Sequence, residues 1–196
     1  MALEKVKVSI EGIKPMLFCS FPIDTLSKAK CKSGTTGDSK DEWKDTVLMI
    51  PDTRQLYIQN TQIQACVSYG GKEIKQGRGN IYLKVCGALT VDESKILMDD
   101  RFVPNDDNLT SLETQPVYLD RRAVVNPMTK GRNIRYRIAA SPGWRCSFTL
   151  CWENTIISRD NIILCVEKGG VLSGLGDGRK IGFGRFKVIS TEKVKE

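Results

Sequence analysis

The sequence contains no histidine among its 196 residues. Histidine is the usual general base because its ordinary pKa lies closest to neutral pH. Its absence excludes Ser-His-Asp and Cys-His catalytic sites, and histidine-based ribonuclease chemistry with them. Ser-Lys, Tyr and carboxylate–metal chemistry stay open, although no motif for any of them is present. We therefore expect a protein that is not an enzyme and that uses no cofactor.

The sequence also lacks any Cys-x-x-Cys pair, although it has seven cysteines. Zinc sites are built mainly from closely spaced cysteines and histidines, so both the spacing and the missing histidine argue against a zinc site or another metal site. An odd, unclustered set without a secretory signal predicts reduced thiols that serve mostly as small buried side chains. The cysteines are Cys19, Cys31, Cys66, Cys86, Cys146, Cys151 and Cys165.

Long apolar runs are missing as well. A membrane-spanning helix needs about 20 consecutive apolar residues, and no signal-peptide pattern is present either. We expect a cytoplasmic protein without a membrane partner. A hydrophobic fraction of 40% over 196 residues is sufficient for one domain with its own core.

Positive charge is plentiful but unevenly spread over a chain whose net charge is +7. Residues 116–196 carry 15 Lys and Arg against 7 Asp and Glu, and they include nine of the twelve arginines. The guanidinium group suits bidentate contact with phosphate, so this bias indicates a polyanionic partner. A solvated basic surface without a partner is the alternative interpretation of charge alone.

Hydrophobic periodicity predicts an α+β fold. Helices are predicted from Asn60 or Thr61 to about Gly70, and from Ser158 to about Lys168. The order of elements predicts a ferredoxin-like or RRM-like antiparallel sheet with helices on one face. Polar stretches at 24–45 and 92–115 predict long, mobile inserted loops. The predicted strands are 3–10, 47–50, 56–58, 81–89, 117–125, 132–138, 144–152 and 181–189.

The most distinctive segment is GLGDGRKIGFGR at 174–185, hereafter the glycine loop. Glycine lets a backbone approach a ligand closely, and Arg179, Lys180 and Arg185 supply positive charge. The loop follows a helix and precedes a strand, which is the reverse of the order in Rossmann and P-loop nucleotide sites. Phosphate binding is one interpretation, and a tight turn that docks a helix against a sheet edge is the other.

This loop resembles the C-terminal glycine-rich loop of the RAMP superfamily, the repeat-associated RNA-binding proteins of CRISPR systems. Its five glycines match the family's glycines, and Arg179, Lys180, Phe183 and Arg185 match the residue types between them. Residues 52–67 (DTRQLYIQNTQIQACV) are similar to the family's strand-turn-helix. The segments IEGIKPML, RRAVVNPMTKGRNIRYR and GLGDGRKIGFGRF are together similar to small phage and prophage proteins of the same layout.

The resemblance implies one RAMP-like domain over residues 1–196, of the backbone-subunit type. Such subunits polymerise along single-stranded RNA and hold its phosphates. The implied partners are therefore single-stranded nucleic acid, with RNA favoured over DNA, and further copies of the chain in a homo-oligomer or filament. A metal-dependent nuclease that uses a loop aspartate is one alternative, and a phage structural or regulatory protein that assembles or interferes with a host complex is another. The candidate aspartates are Asp24, Asp38, Asp41 and Asp45.

The predicted nucleic-acid contacts form three groups. Those in the glycine loop are Gly176, Gly178, Arg179, Lys180, Gly182, Phe183, Gly184 and Arg185. Those on the predicted strands 117–125 and 132–138 and the turn between them are Arg121, Arg122, Lys130, Arg132, Arg135 and Arg137. We expect these six to form one basic surface that binds nucleic acid. The alternative is that they only keep an outer face of the sheet solvated. Those after the first helix are Lys72, Lys75 and Arg78. Among the aromatic residues, Phe183 and Trp43 are the candidates for stacking on bases.

Overall fold

The computed structural model describes residues 3–20, 41–105, 108–125, 128 and 130–194. The strands are β1 (Leu3–Gly12), β2 (Met16–Leu17), β3 (Gln55–Gln59), β4 (Lys75–Gln76), β5 (Gly79–Asn80), β6 (Leu89–Val91), β7 (Lys95–Phe102), β8 (Val117–Val125), β9 (Arg132–Ala140), β10 (Arg145–Glu153) and β11 (Phe186–Lys193). The helices are α1 (Glu42–Thr46), α2 (Asn60–Gly70), α3 (Tyr82–Ala88) and α4 (Arg159–Leu172), with single 3-10 turns at Gly71–Glu73 and Arg179–Ile181.

The larger sheet has the strand order β11-β1-β10-β7-β3, with β6 also paired to β10, and its pairings are antiparallel. Alternate residues of β1 face the core, so Val6, Val8 and Ile10 are fully buried. Val8 lies opposite Phe148 of β10, which is also fully buried. The predicted α+β class with antiparallel strands is confirmed, while the ferredoxin-like arrangement within that class stays a prediction.

Helices α2 and α4 pack against each other, and each helix has a glycine at the point where they cross. A Cβ atom on Gly70 would overlap the carbonyl oxygen of Cys165. A Cβ atom on Gly169 would lie 2.5 Å from the carbonyl oxygen of Cys66. The two backbones can approach this closely only because neither position carries a side chain. The crossing places the end of α4, where the glycine loop begins, beside α2.

A smaller sheet has the order β2-β9-β8. Its longest pairing joins β8 to β9 over their full lengths, from Val117–Ala140 to Val125–Arg132, which confirms both predicted strands. The far end of this ribbon carries exposed apolar side chains, including Val125, and the neighbouring Met128 is 93% exposed. The ribbon is therefore anchored at one end, and its other end is open to solvent.

Two predictions for the middle of the chain are wrong. Residues 81–89 were predicted as a strand from their β-branched and aromatic content, but 82–88 form α3. Ile81 and Val85, four residues apart, are both buried, which is the spacing of one helix face. Residues 95–102, predicted as part of an acidic loop, form β7. Ile96 and Met98 alternate into the core there, and this alternation outweighs the acidic residues that follow.

Four further predictions need correction. Residues 42–46 form α1, while 24–40 of the predicted first loop lie outside the described residues. Trp43, a candidate for base stacking, is only 4% exposed and packs into the core. The predicted strand pair at 47–50 and 56–58 is reduced to one bridge between Met49 and Leu56, because β3 pairs with β7 instead. The last strand begins at Phe186, after the 3-10 turn at Arg179–Ile181.

The six described cysteines are Cys19, Cys66, Cys86, Cys146, Cys151 and Cys165. Four are buried as predicted, and Cys19 and Cys86 are exposed. Burial raises the pKa of the Cys66 and Cys165 thiols to about 12, so these two thiols are protonated at neutral pH. Among the described residues, no helix has the length and apolar character needed to cross a bilayer.

Candidate nucleic-acid interface

The glycine loop has a backbone that needs its glycines. All five have a positive φ, between 68° and 94°. Residues with a Cβ atom pay about 1–2 kcal/mol to enter this left-handed region, whereas glycine enters it freely. The loop begins directly at the end of α4, where the amide of Gly174 donates to the carbonyl oxygen of Gly169 at 2.8 Å. The backbone conformation of the glycines therefore sets the shape of the loop, starting at the C-terminus of α4.

The loop is docked on β2 and on the residue before it. The amide of Asp177 donates to the carbonyl oxygen of Leu17 at 2.8 Å, and the amide of Gly184 donates to that of Pro15 at 2.7 Å. Within the loop, the Leu175 amide donates to the Gly184 carbonyl oxygen at 2.9 Å. These amides are occupied by protein acceptors, which favours the docking-turn interpretation for the backbone. The capacity to bind a ligand then rests on the side chains of the loop.

The basic side chains of the loop point into a cleft. Arg179 and Lys180 are exposed, while Arg185 is half-buried and donates from Nη2 to the carbonyl oxygen of Arg179 at 3.1 Å. All three line a cleft of about 400 Å³, together with Tyr69 of α2. Three predicted contacts from the loop thus share one concave, positively charged surface.

This cleft is one of three that adjoin along α2, hereafter the α2 groove. The second, of about 310 Å³, lies between the start of α2 and the glycine loop and includes Thr61, Ala65 and Arg179. The third, of about 370 Å³, lies between α2 and α3 and includes Thr61, Ala65 and Tyr69. Neighbouring clefts share lining residues, so the groove is continuous along the exposed side of α2.

The predicted residues after the first helix are divided by the fold. Lys72 lines the third cleft, which shares Tyr69 with the cleft that contains the glycine-loop cations. Lys75 and Arg78 are exposed on the small β4–β5 hairpin that follows. The structure therefore brings Lys72 to the α2 groove and leaves the other two beyond it.

The register of the β8–β9 ribbon separates the six predicted basic residues. Arg122 lies directly opposite Arg135, and Arg121 lies directly opposite Tyr136. Residues opposite each other share a face and successive residues alternate, so Arg122, Arg135 and Arg137 share one face. Arg121 and Arg132 are on the other face, and exposed Lys130 precedes β9. The shared side of Arg135 and Arg137 is confirmed, but the prediction of a single surface for all six is wrong.

The face with Arg122 is turned toward the glycine loop. The guanidinium of Arg122 stacks over the Phe183 ring at 4.6 Å, and its Nε donates to Asp120 at 2.8 Å. The hydrogen bond to this buried carboxylate raises the pKa of Arg122. Arg137 forms an ion pair with Asp177 of the loop at 3.3 Å. Arg122 and Arg137 therefore join the ribbon to the loop, and the Phe183 ring, 8% exposed, is already covered by Arg122.

Replacing Arg122 with glutamine is expected to destabilise the fold. Asp120 is 4% exposed, so without Arg122 its carboxylate would be buried and unpaired. Because Arg122 itself is partly exposed, we expect the free energy of unfolding to fall by about 2 kcal/mol. Chemical denaturation of Arg122→Gln, with Arg121→Gln as the control, measures this loss of stability. The neighbouring Arg121 is exposed, so its variant should stay within about 0.5 kcal/mol of the wild type; equal losses would contradict the assignment.

Tyr69 and Tyr82 are site residues that the sequence did not single out. Tyr69 continues the exposed helical series Thr61, Ala65, Tyr69, opposite buried positions such as Cys66. That spacing could have identified it from the sequence. The incorrect strand prediction prevented the identification of Tyr82. This residue lies beside Tyr69 only because 82–88 form a helix that packs on α2.

Two of the four candidate aspartates, Asp41 and Asp45, lie among the described residues. Asp41 forms an ion pair with Lys44 at 3.0 Å, and Asp45 is exposed on α1. Asp24 and Asp38 lie outside the described residues. Within the described part of the chain, no group of three or more Cys, Asp or Glu side chains is arranged to hold a metal ion.

The fold has a solved counterpart. The chain is similar to a chain of the type III-B Cmr-beta complex, solved by cryo-electron microscopy with its cognate target RNA, at a TM-score of 0.59 and 12% identity. The similarity covers 98% of this chain and 61% of that one, so this chain spans less than two thirds of its counterpart. No protein-family model and no curated protein sequence matches the chain. At this identity the match supports the predicted resemblance at the level of fold alone.

Proposed function

We propose that this chain is a single RAMP-like domain that binds single-stranded nucleic acid, RNA in preference to DNA, by its phosphate backbone. The observation that carries the proposal is the convergence of Arg179, Lys180 and Arg185 on the α2 groove. Three guanidinium or ammonium groups on one concave surface match the repeating charge of a phosphate backbone. The protein would act in the cytoplasm of a bacterial or archaeal cell.

A single strand suits this groove better than a duplex. Proteins that recognise duplex DNA insert a protruding helix or ribbon into the wide major groove. Here the exposed residues of α2 line a recess between the glycine loop and α3, where Tyr69 and Tyr82 are accessible. Aromatic rings beside a cationic track are typical of proteins that bind unpaired strands.

The preference for RNA and the assembly along the strand rest on the fold. The Cmr-beta complex contains target RNA. The strand order β11-β1-β10-β7, with α2 after β3 and α4 between β10 and β11, supports a ferredoxin-like core of the kind found in RNA-recognition domains. The exposed apolar end of the ribbon would be buried by a neighbouring copy in a filament.

Fluorescence anisotropy with labelled oligonucleotides tests the proposal. Single-stranded RNA should bind more tightly than DNA of the same sequence, and both more tightly than duplex. For three phosphate contacts on a single strand, the affinity should fall roughly 20-fold between about 50 and 200 mM salt. Size-exclusion chromatography should show larger, salt-sensitive assemblies only with the strand present. Salt-independent binding, or a preference for duplex, would contradict the proposal.

A further inference from the structure

The cleft between α2 and α3, hereafter the tyrosine cleft, contains an unusual arrangement of one cation and two rings. The ammonium of Lys72 lies 5.0 Å from the Tyr69 ring centroid and 4.7 Å from that of Tyr82. Tyr69 is 40% exposed and Tyr82 is half-buried. Since one nitrogen lies over both rings, the two centroids are within about 10 Å of each other. Both π faces are therefore turned toward the same small space.

The backbone beside each tyrosine is held in place by the protein itself. Tyr69 precedes Gly70, the residue at which α2 is packed against α4. The Tyr82 amide donates to Asn80 Oδ1 at 3.1 Å at the start of α3. The Cys86 thiol, one turn further along α3, raises the pKa of the Tyr82 hydroxyl. Little backbone entropy would then be lost when a ligand enters between the two rings.

The remaining walls of the cleft offer polar groups. Gln64 is oriented by a hydrogen bond from its Nε2 to the carbonyl oxygen of Leu89 at 2.7 Å, and Ser68 lies one turn further along α2. A volume of about 370 Å³ accommodates a flat heterocycle whose edge hydrogen-bonds to such groups. Lys72 would repel a cationic ligand. The ligand that suits both the two rings and the positive charge of Lys72 is therefore a flat, neutral group attached to an anion.

The tyrosine cleft is continuous with the path proposed for phosphates. Tyr69 lines both this cleft and the one that contains Arg179, Lys180 and Arg185. A strand whose phosphates contact those cations therefore passes the mouth of the tyrosine cleft. A base turned toward α2 at that point meets the two rings.

We propose that the tyrosine cleft binds one unpaired nucleobase, stacked on Tyr69 and Tyr82 in the place that the Lys72 ammonium occupies without a ligand. This inference rests on the proposed function. Lys72 then moves from the rings to the phosphate of the same nucleotide, so its positive charge stays paired. The cations of the glycine loop hold the backbone of the strand, and the tyrosine cleft adds a contact that requires a base.

The test compares two strands of equal length, one with bases and one abasic. Stacking on an aromatic side chain contributes about 1–3 kcal/mol per base, so Tyr69→Leu and Tyr82→Leu should each weaken binding of the base-containing strand about tenfold. Neither variant should change binding of the abasic strand. Tyr69→Phe keeps the ring and should bind as the wild type does. Leu83→Ala is the matched control, because Leu83 is 78% exposed beside Tyr82 and does not line the cleft.

A second readout follows the base directly. A strand with one 2-aminopurine should lose fluorescence on binding the wild type, because stacking quenches this base, and regain it with Tyr69→Leu. If both leucine variants bind the two strands as the wild type does, the base site is wrong, although backbone binding and the proposed function stand. If they weaken the abasic strand equally, the tyrosines serve the fold or the backbone track instead, and the inference also fails. If the wild type binds neither strand, both proposals fall.

Discussion

Replacing Gly184 with alanine is expected to lower the free energy of unfolding by about 3 kcal/mol or more. Gly184 has φ 68°, in the left-handed region, which alone costs about 1–2 kcal/mol for a residue with a Cβ atom. The new Cβ atom would also overlap the carbonyl oxygen of Leu175, which is backbone and cannot rotate away. Relief of this overlap must break the hydrogen bond of Leu175 to Gly184 or that of Gly184 to Pro15.

Gly182→Ala is the matched control for this prediction. Gly182 also has a positive φ, of 94°, but a Cβ atom there meets no atom within 4 Å. It should therefore lose only the conformational cost, about 1–2 kcal/mol. Chemical denaturation of both variants, with a common slope, gives the difference. Equal losses would show that the close packing of Gly184 contributes nothing beyond its backbone conformation.

The double variant Arg179→Gln, Lys180→Gln is expected to weaken binding of single-stranded RNA roughly 30-fold at about 50 mM salt. Both side chains are exposed, so their loss should leave the fold intact. Each phosphate contact on a single strand contributes about 0.7 to the slope of log affinity against log salt. Two lost contacts should therefore reduce that slope by about 1.4. All base sequences should be affected alike, because phosphates carry no sequence information. Arg185 is kept because its guanidinium also donates to the Arg179 carbonyl oxygen.

Lys187→Gln, Lys193→Gln is the control of equal charge. Both lysines are exposed on β11, outside the α2 groove, and pair with Glu11 at 2.8 Å and Glu4 at 3.9 Å. Removing them lowers the net charge by the same amount, so only a general electrostatic effect would weaken binding. Anisotropy titrations at several salt concentrations separate the cases. A loss of the same size with this control would show that net charge, rather than the glycine loop, decides affinity.

Local sequence patterns predicted the elements whose side chains repeat regularly. Apolar patterns in β1 and β8–β10 indicated strands, apolar residues on one helical face indicated α2, and the capping residue Ser158 indicated α4. The glycine loop was recognisable because left-handed backbone is almost exclusive to glycine, so its composition reflects its conformation directly. These features depend on neighbours in the chain, which is why a single sequence sufficed.

The errors lie where tertiary contacts outweigh local preference. The composition of 82–88 favours a strand, yet burial of Ile81 and Val85 on one side makes a helix. The acidic residues at the end of β7 indicated a loop, but pairing with both β3 and β10 makes them part of the sheet. Intrinsic preferences differ by about 1 kcal/mol or less per residue, so packing overrides them readily.

The sequence by itself determined the α+β class, the basic bias after residue 116 and the conformation of the glycine loop. Only the tertiary structure decided which charged side chains lie close together. It divided the basic residues of β8 and β9 between two faces, and it brought Tyr69, Lys72 and Arg179 to one groove across more than a hundred residues of chain. Strand register and helix packing create such neighbours, and both arise from long-range contacts that no local pattern records.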